Sequence, residues 1–141
     1  MSTKSDFFQH QRFALVGDSR EKKFPKFTMK YLQDQGKKVY PVDLAGAQDG
    51  FLGSLTEVPA EAEAVIMEVA KESTAGVVAA ALDKGFKHIW IHQMTDTPEA
   101  VELATSRGAS VHTGSCAVMY LAPTMSPHAV HRGMWKLIGR F

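Results

Sequence analysis

The first clear apolar run, Phe13-Ala14-Leu15-Val16, stops at Gly17. A polar loop, GDSREKKF, follows, and then a helix-like stretch from about Pro25 to Gln35. Further apolar runs recur along the chain, so strands are predicted at 12–16, 38–42, 63–68, 87–91 and 109–112. They are short and apolar on both faces, as buried parallel strands are. Three joints are written alike. In YLQDQGKKVYPV, ALDKGFKHIWI and ATSRGASVHT a helix-like segment ends, a glycine follows, and a β-branched or aromatic run begins. Gly36, Gly85 and Gly108 stand where a helix C-terminus needs a left-handed residue. Val77, Val78, Ala81 and Leu82 share one face at helical spacing. Thr97 followed by Pro98 reads as a helix N-cap with a first-turn proline.

Strands alternating with helices imply an α/β fold. Right-handed crossovers place helices on both sides of a doubly wound parallel sheet of five strands, here expected in the order 3-2-1-4-5. Ligands of such sheets lie at the carboxyl ends of the strands, beside the switch point, which this order puts between strands one and four. The segments that matter are then 17–23, 42–45, 68–72, 92–94 and 112–116.

Composition narrows the setting. A chain of 141 residues fits one domain, 1–141, with a real core. A net charge of +1 gives no field that favours nucleic acid. No apolar stretch is long enough to span a bilayer, and the N-terminal MSTKSDFFQHQR lacks the apolar centre of a signal peptide. The single cysteine, Cys116, excludes a disulfide framework within the chain. A cytoplasmic protein with neither a nucleic-acid nor a membrane partner is expected.

At the strand ends, Gly17 permits close approach and Ser19 offers a small hydrogen-bonding group. Arg20, Lys22, Lys23 and Lys26 bring positive charge, which Asp18 and Glu21 offset in part. Backbone N–H groups at a helix start together with cations make a phosphate site; the other reading is a solvated charged loop. Asp43, closing the second strand, could accept a ribose hydroxyl as in NAD-binding folds, or cap a turn; the G-x-G-x-x-G partner is missing. Lys71 either meets a phosphate or stays in water. His92, His112 and Cys116 end neighbouring strands, yet their spacing matches no zinc signature and no carboxylate is evident to orient a histidine. An inert, buried cysteine is the favoured state, with no metal site and no catalytic residue assigned.

The order of these motifs, VGDS after the first strand, PVD after the second, a basic residue after the third and TGSCA after the fifth, resembles the CoA-binding domain family. These are small Rossmann-like, three-layer α/β proteins similar to the N-terminal domain of the succinyl-CoA synthetase alpha subunit. The resemblance spans about residues 10–122. It implies that Gly17, Ser19 and Arg20, with Asp18 and Lys26 beside them, meet phosphates. It also implies that Val42 and Asp43 line the adenosine side, that Lys71 replaces the family's loop arginine, and that Cys116 is the family's cysteine near the fifth strand. Asp18 stands where the family has alanine, Asp43 where it has asparagine and Leu44 where it has proline; carboxylates beside a pyrophosphate are repulsive. The synthetase's catalytic histidine belongs to a second domain, so ligase activity is not carried over. The implied function is a non-enzymatic binder of CoA or acyl-CoA, acting as a sensor or regulator. The alternatives are an NAD(P)-binding enzyme or redox sensor, and a protein-interaction module without ligand.

Residues 103–141 contain no Asp or Glu. HAVHRGMWKLIGRF puts Val130, Met134, Leu137 and Ile138 on one face of a helix expected at about 127–139. A basic amphipathic helix suits an anionic surface or a partner; the favoured reading is that it covers the sheet or a homodimer interface.

Overall fold

The computed structural model describes residues 4–21, 23–47 and 50–118. Strands β1 (Arg12–Gly17), β2 (Lys38–Asp43), β3 (Ala64–Glu68), β4 (His88–His92) and β5 (Ser110–Ser115) form one sheet. Every neighbouring pair is parallel. Helices α1 (Lys4–Phe7), α2 (Lys26–Asp34), α3 (Thr74–Lys84) and α4 (Pro98–Ser106) cover its faces. The expected helix at 127–139 and the loop cation Lys22 lie outside the described residues. No described helix is long and apolar enough to cross a membrane.

Alternation along the strands feeds two cores. Ala14 and Val16 of β1, with Ile89 and Ile91 of β4, face α3 and α4, where Val77, Val78, Ala81, Leu82, Ala100 and Ala104 are buried. Phe13 and Leu15, with Ile66 and Trp90, face the other way, toward Leu32 of α2 and toward Phe7 and Phe8. That second core is aromatic: Trp90 lies 5.4 Å from Phe7 and 4.9 Å from Phe8, ring centre to ring centre. Burying rings of this size contributes about 1.5–3 kcal/mol each.

The glycine joints form as the pattern predicts. Gly36, Gly85 and Gly108 all have positive φ. At the end of α3 the Gly85 N–H donates to Leu82 O at 3.0 Å and the Phe86 N–H to Ala81 O at 3.0 Å. This paired closure satisfies two carbonyls that the helix leaves over, and it needs a left-handed residue at the turn. The same pair of bonds closes α2 onto Leu32 and Gln33 and α4 onto Ala104 and Thr105.

The strand order is β2-β1-β3-β4-β5, not the expected 3-2-1-4-5. Pro41 supplies the physical reason. The carbonyl of Pro41 accepts from Leu52 N–H at 2.9 Å, and Asp43 N–H donates to Leu52 O at 2.9 Å. That side of β2 therefore faces away from β1, and Pro41 has no N–H to offer a further strand there. On the outer edge Val42 bridges to Leu52, and among the described strands β2 ends the sheet. The chain returns across β1, and β3 pairs on its other side. The switch point moves with it, to the crevice between β1 and β3 rather than between strands one and four. There Gly17 and Glu68 are direct register partners.

Candidate functional site

The loop after β1 is organised by two buried carboxylates. Asp18 is 1% exposed. Arg20 donates to it three times: Nε to Oδ1 at 2.9 Å, Nη2 to Oδ2 at 2.7 Å and the backbone N–H to Oδ1 at 3.1 Å. The Arg20 side chain holds the Asp18 carboxyl below its ordinary value, against the opposing effect of burial. Asp43 is also 1% exposed, and its Oδ1 accepts from the N–H of Ser19 at 3.0 Å and of Ala45 at 2.9 Å. Burial pushes the Asp43 carboxyl up, but these N–H bonds together with the Ser19 side chain outweigh it and the net direction is down. Glu21 N–H donates to Asp18 O at 3.1 Å.

Two expectations change as a result. The N–H groups of Ser19, Arg20 and Glu21 all have protein acceptors, so this loop does not present a row of open amides to a phosphate. The two acids do not face a ligand as bare charges either: one is paired with a guanidinium, the other holds backbone N–H groups. Gly17 also has a packing role. A Cβ built there would lie 2.7 Å from Pro25 Cδ and 2.8 Å from Phe24 Cδ2. The missing side chain is what lets Phe24 and Pro25 fold back over the strand end.

Beside the switch point lies a cleft of about 1530 Å³. Its cations are Arg20, Lys23, Lys26 and Lys30, and its aromatic walls are Phe24, Phe27 and Phe51. Phe24 and Phe51 meet edge to face at 4.8 Å, and Phe27, 63% exposed, stacks on Tyr31 at 6.5 Å. Lys30 pairs with Asp34 at 2.7 Å, whereas no described carboxylate forms an ion pair with Lys23 or Lys26. Three carboxylates also line the space: Glu21, Asp43 and Glu68. Buried Thr28 donates its hydroxyl to Glu68 Oε2 at 2.6 Å, and Glu68 Oε1 lies 3.6 Å from His92 Nδ1. A carboxylate thus does stand beside a strand-end histidine, contrary to expectation. Residue spacing hid it because β3 and β4 are adjacent only in space.

Of the residues singled out in the sequence, Ser19, Arg20, Glu21, Lys23, Lys26, Asp43 and Cys116 share the cleft lining. Gly17 and Asp18 sit behind it. Val42 is fully buried in the core against α3 and α4, and Lys71 is exposed in a short 3-10 turn, Lys71–Ser73, outside the lining itself, although Ser73 of that turn donates to the lining residue Glu21 at 3.4 Å. His112 packs in the aromatic core, 5.9 Å from Trp90 and 5.7 Å from Phe7, and is not part of the cleft lining that includes Cys116. No described group of three or more His, Cys, Asp or Glu could hold a metal. Sequence reasoning missed Phe24, Phe27, Thr28, Lys30 and Phe51, and it marked Glu68 only as the start of a strand-end segment. The signal for most of them was KFPKFTMK, in which basic and aromatic residues interleave over a helix start and so share one side of its first turns.

A family model described as a CoA binding domain matches residues 11–122. Among solved structures, Prb, a protein redesigned for binding, is similar at 25% identity and a TM-score of 0.69, over 89% of this chain and 97% of that one. A hypothetical protein from Pyrococcus horikoshii OT3 is 27% identical with a TM-score of 0.68, covering 86% of this chain and 94% of its own. A conserved hypothetical protein from Pyrococcus furiosus, 24% identical over 76% of this chain and 96% of its own, shares the fold at a TM-score of 0.67. With its five-stranded parallel sheet and a family match over most of its length, the chain belongs to the CoA-binding domain family.

Proposed function

We propose that the cleft at the β1–β3 switch point binds coenzyme A or an acyl-CoA, and that the protein is a non-enzymatic binding module that senses or regulates rather than transforms its ligand. The observation that carries this reading is the joining, in one cleft, of Arg20, Lys23, Lys26 and Lys30 with Phe24, Phe27 and Phe51 in a chain of this family. CoA combines a pyrophosphate and a ribose phosphate with an adenine ring and a long neutral arm. Lys23, Lys26 and the outer side of Arg20 supply charge-assisted donors for phosphate. The first turn of α2 carries no acidic residue, and its positive end adds to the attraction. The exposed ring of Phe27 offers a stacking surface, and Cys116, just past β5, lines the same cleft.

The residues fit the ligand's charge because Asp18 and Asp43 are already compensated within the protein. NAD(P) is the competing reading. It draws on Asp43 as an acceptor for ribose, and one of the two oxygens of Asp43 is engaged by the backbone N–H groups of Ser19 and Ala45.

Thermal unfolding with added nucleotide tests the proposal. Ligand stabilises as RT ln(1 + [L]/Kd), so an affinity of ~100 μM gives roughly 1.4 kcal/mol at 1 mM ligand. CoA is expected to raise the unfolding temperature, and the rise should shrink with added salt and in Lys23→Ala and Lys26→Ala variants. A shift with NAD(P) and none with millimolar CoA would overturn it.

A further inference from the structure

We propose that Asp18 is a positioning residue, holding the guanidinium of Arg20 as a fixed fork on the cleft wall that meets a ligand phosphate. The proposal rests on reading the cleft as a site for a phosphate-bearing ligand. A carboxylate in the first loop of an anion site is, on charge alone, a defect. Its placement says otherwise. Asp18 itself is not part of the cleft lining, whereas Arg20 is. The Asp18 side chain is 2% exposed and that of Arg20 64%. The carboxylate therefore stands behind the guanidinium, on the side away from the ligand.

The contacts are those of a mount. One carboxylate takes Nε, Nη2 and the backbone N–H of the same arginine, fixing both the root of the side chain and its tip. A guanidinium has five N–H groups. Nε–H and one N–H of Nη2 are used on Asp18, so the remainder face the exposed side, where a phosphate accepts two parallel bonds from such a fork. The segment cannot swing as a unit, because Asp43 takes the N–H of Ser19 between the two residues. An unmounted arginine loses side-chain freedom when it binds; this one has lost it on folding.

Charge and positioning make opposite predictions for Asp18→Asn. If Asp18 acts only as a charge, its removal tightens anion binding. If it aims Arg20, its removal weakens anion binding. Calorimetric titration of the intact protein with inorganic pyrophosphate, CoA and uncharged pantetheine separates the two. Loss of an aligned charged hydrogen bond corresponds to roughly a tenfold change in affinity. Asp18→Asn is expected to bind pyrophosphate and CoA about tenfold more weakly and pantetheine within about twofold of wild type. Arg20→Lys keeps the charge and loses the fork, so it should match that loss, and the double variant should lose no more. Equal or tighter pyrophosphate binding by Asp18→Asn overturns the proposal. Should Asp18→Asn not fold, Arg20→Lys at its exposed position decides alone, and unchanged pyrophosphate affinity there overturns the proposal. Wild-type protein that binds pyrophosphate, with the expected losses, but not CoA leaves the positioning role standing and removes the CoA reading. CoA binding that neither variant alters does the reverse.

Discussion

Gly17 has no side chain because Phe24 and Pro25 occupy the space that one would need. Its Cβ would fall 2.7 Å from a proline ring carbon and 2.8 Å from a phenylalanine ring carbon, neither of which is a flexible chain end. Gly17→Ala is therefore expected to destabilise the fold by about 1–3 kcal/mol, the usual cost of overpacking, measured by urea unfolding. Unchanged stability would show that the loop can back away. The buried acids give a second expectation. Asp18 and Asp43 are depressed below their ordinary 3.8, and Glu63, held chiefly by the N–H of Gln11, below its ordinary 4.5. Carboxyls lowered in the folded state stabilise fully above their ordinary values, and that contribution is lost as the pH falls through those values toward the depressed ones. The urea midpoint should hold steady down to about pH 5 and drop below about pH 4.5 as these groups take up protons. Asp43→Asn should be less stable at neutral pH by about 1–3 kcal/mol and show a shallower acid decline. The sequence made these residues conspicuous, but not their roles. It shows that a side chain is missing at 17 and that acids stand at 18 and 43, while the partners that explain them come from Phe24, Arg20 and Ala45 once the chain has folded.

The elements were legible where their causes are local. A helix that ends on a left-handed glycine carries its own explanation within six residues, and so the joints at Gly36, Gly85 and Gly108 form as read. The N-cap is equally local. Thr97 Oγ1 accepts the N–H of Ala100 at 3.0 Å, with Pro98 in the first turn. Thr97→Ala should cost about 1 kcal/mol in urea or thermal unfolding, while Thr97→Ser or Thr97→Asp should cost much less. Equal losses in all three would mean that the threonine methyl, not its hydroxyl, matters. Strand order is a different kind of information, because it depends on which edge the long β2–β3 connection takes. A clue was nevertheless present: Pro41, inside the second apolar run, cannot serve a central strand. Taken at face value it places β2 on the edge and excludes 3-2-1-4-5.

At the scale of the molecule, the cleft gathers residues from α2, from the ends of β2, β3 and β5, and from the loop that holds Phe51. No window of sequence contains them together, which is why the cations of one loop were visible and Glu68, Phe51 and Thr28 as their neighbours were not. The same assembly links the cleft to the aromatic core. Trp90, fully buried, donates its indole N–H to Ser115 O at 3.2 Å, and the next residue, Cys116, lines the cleft. The indole's electronic transition is sensitive to the strength of that bond, so the protein carries an optical gauge beside its site. The chain has two tryptophans, and replacing Trp135 with phenylalanine leaves Trp90 as the sole tryptophan, excited selectively at the red edge where tyrosine does not absorb. Titrating CoA into that variant should then shift or quench the emission with the same midpoint as the thermal assay, with Trp90 staying inaccessible to acrylamide. A spectrum that stays constant at saturating CoA would mean that the end of β5 is a rigid wall. Stopped-flow mixing on the same signal would give the rate at which the cleft fills, without any label attached to protein or ligand.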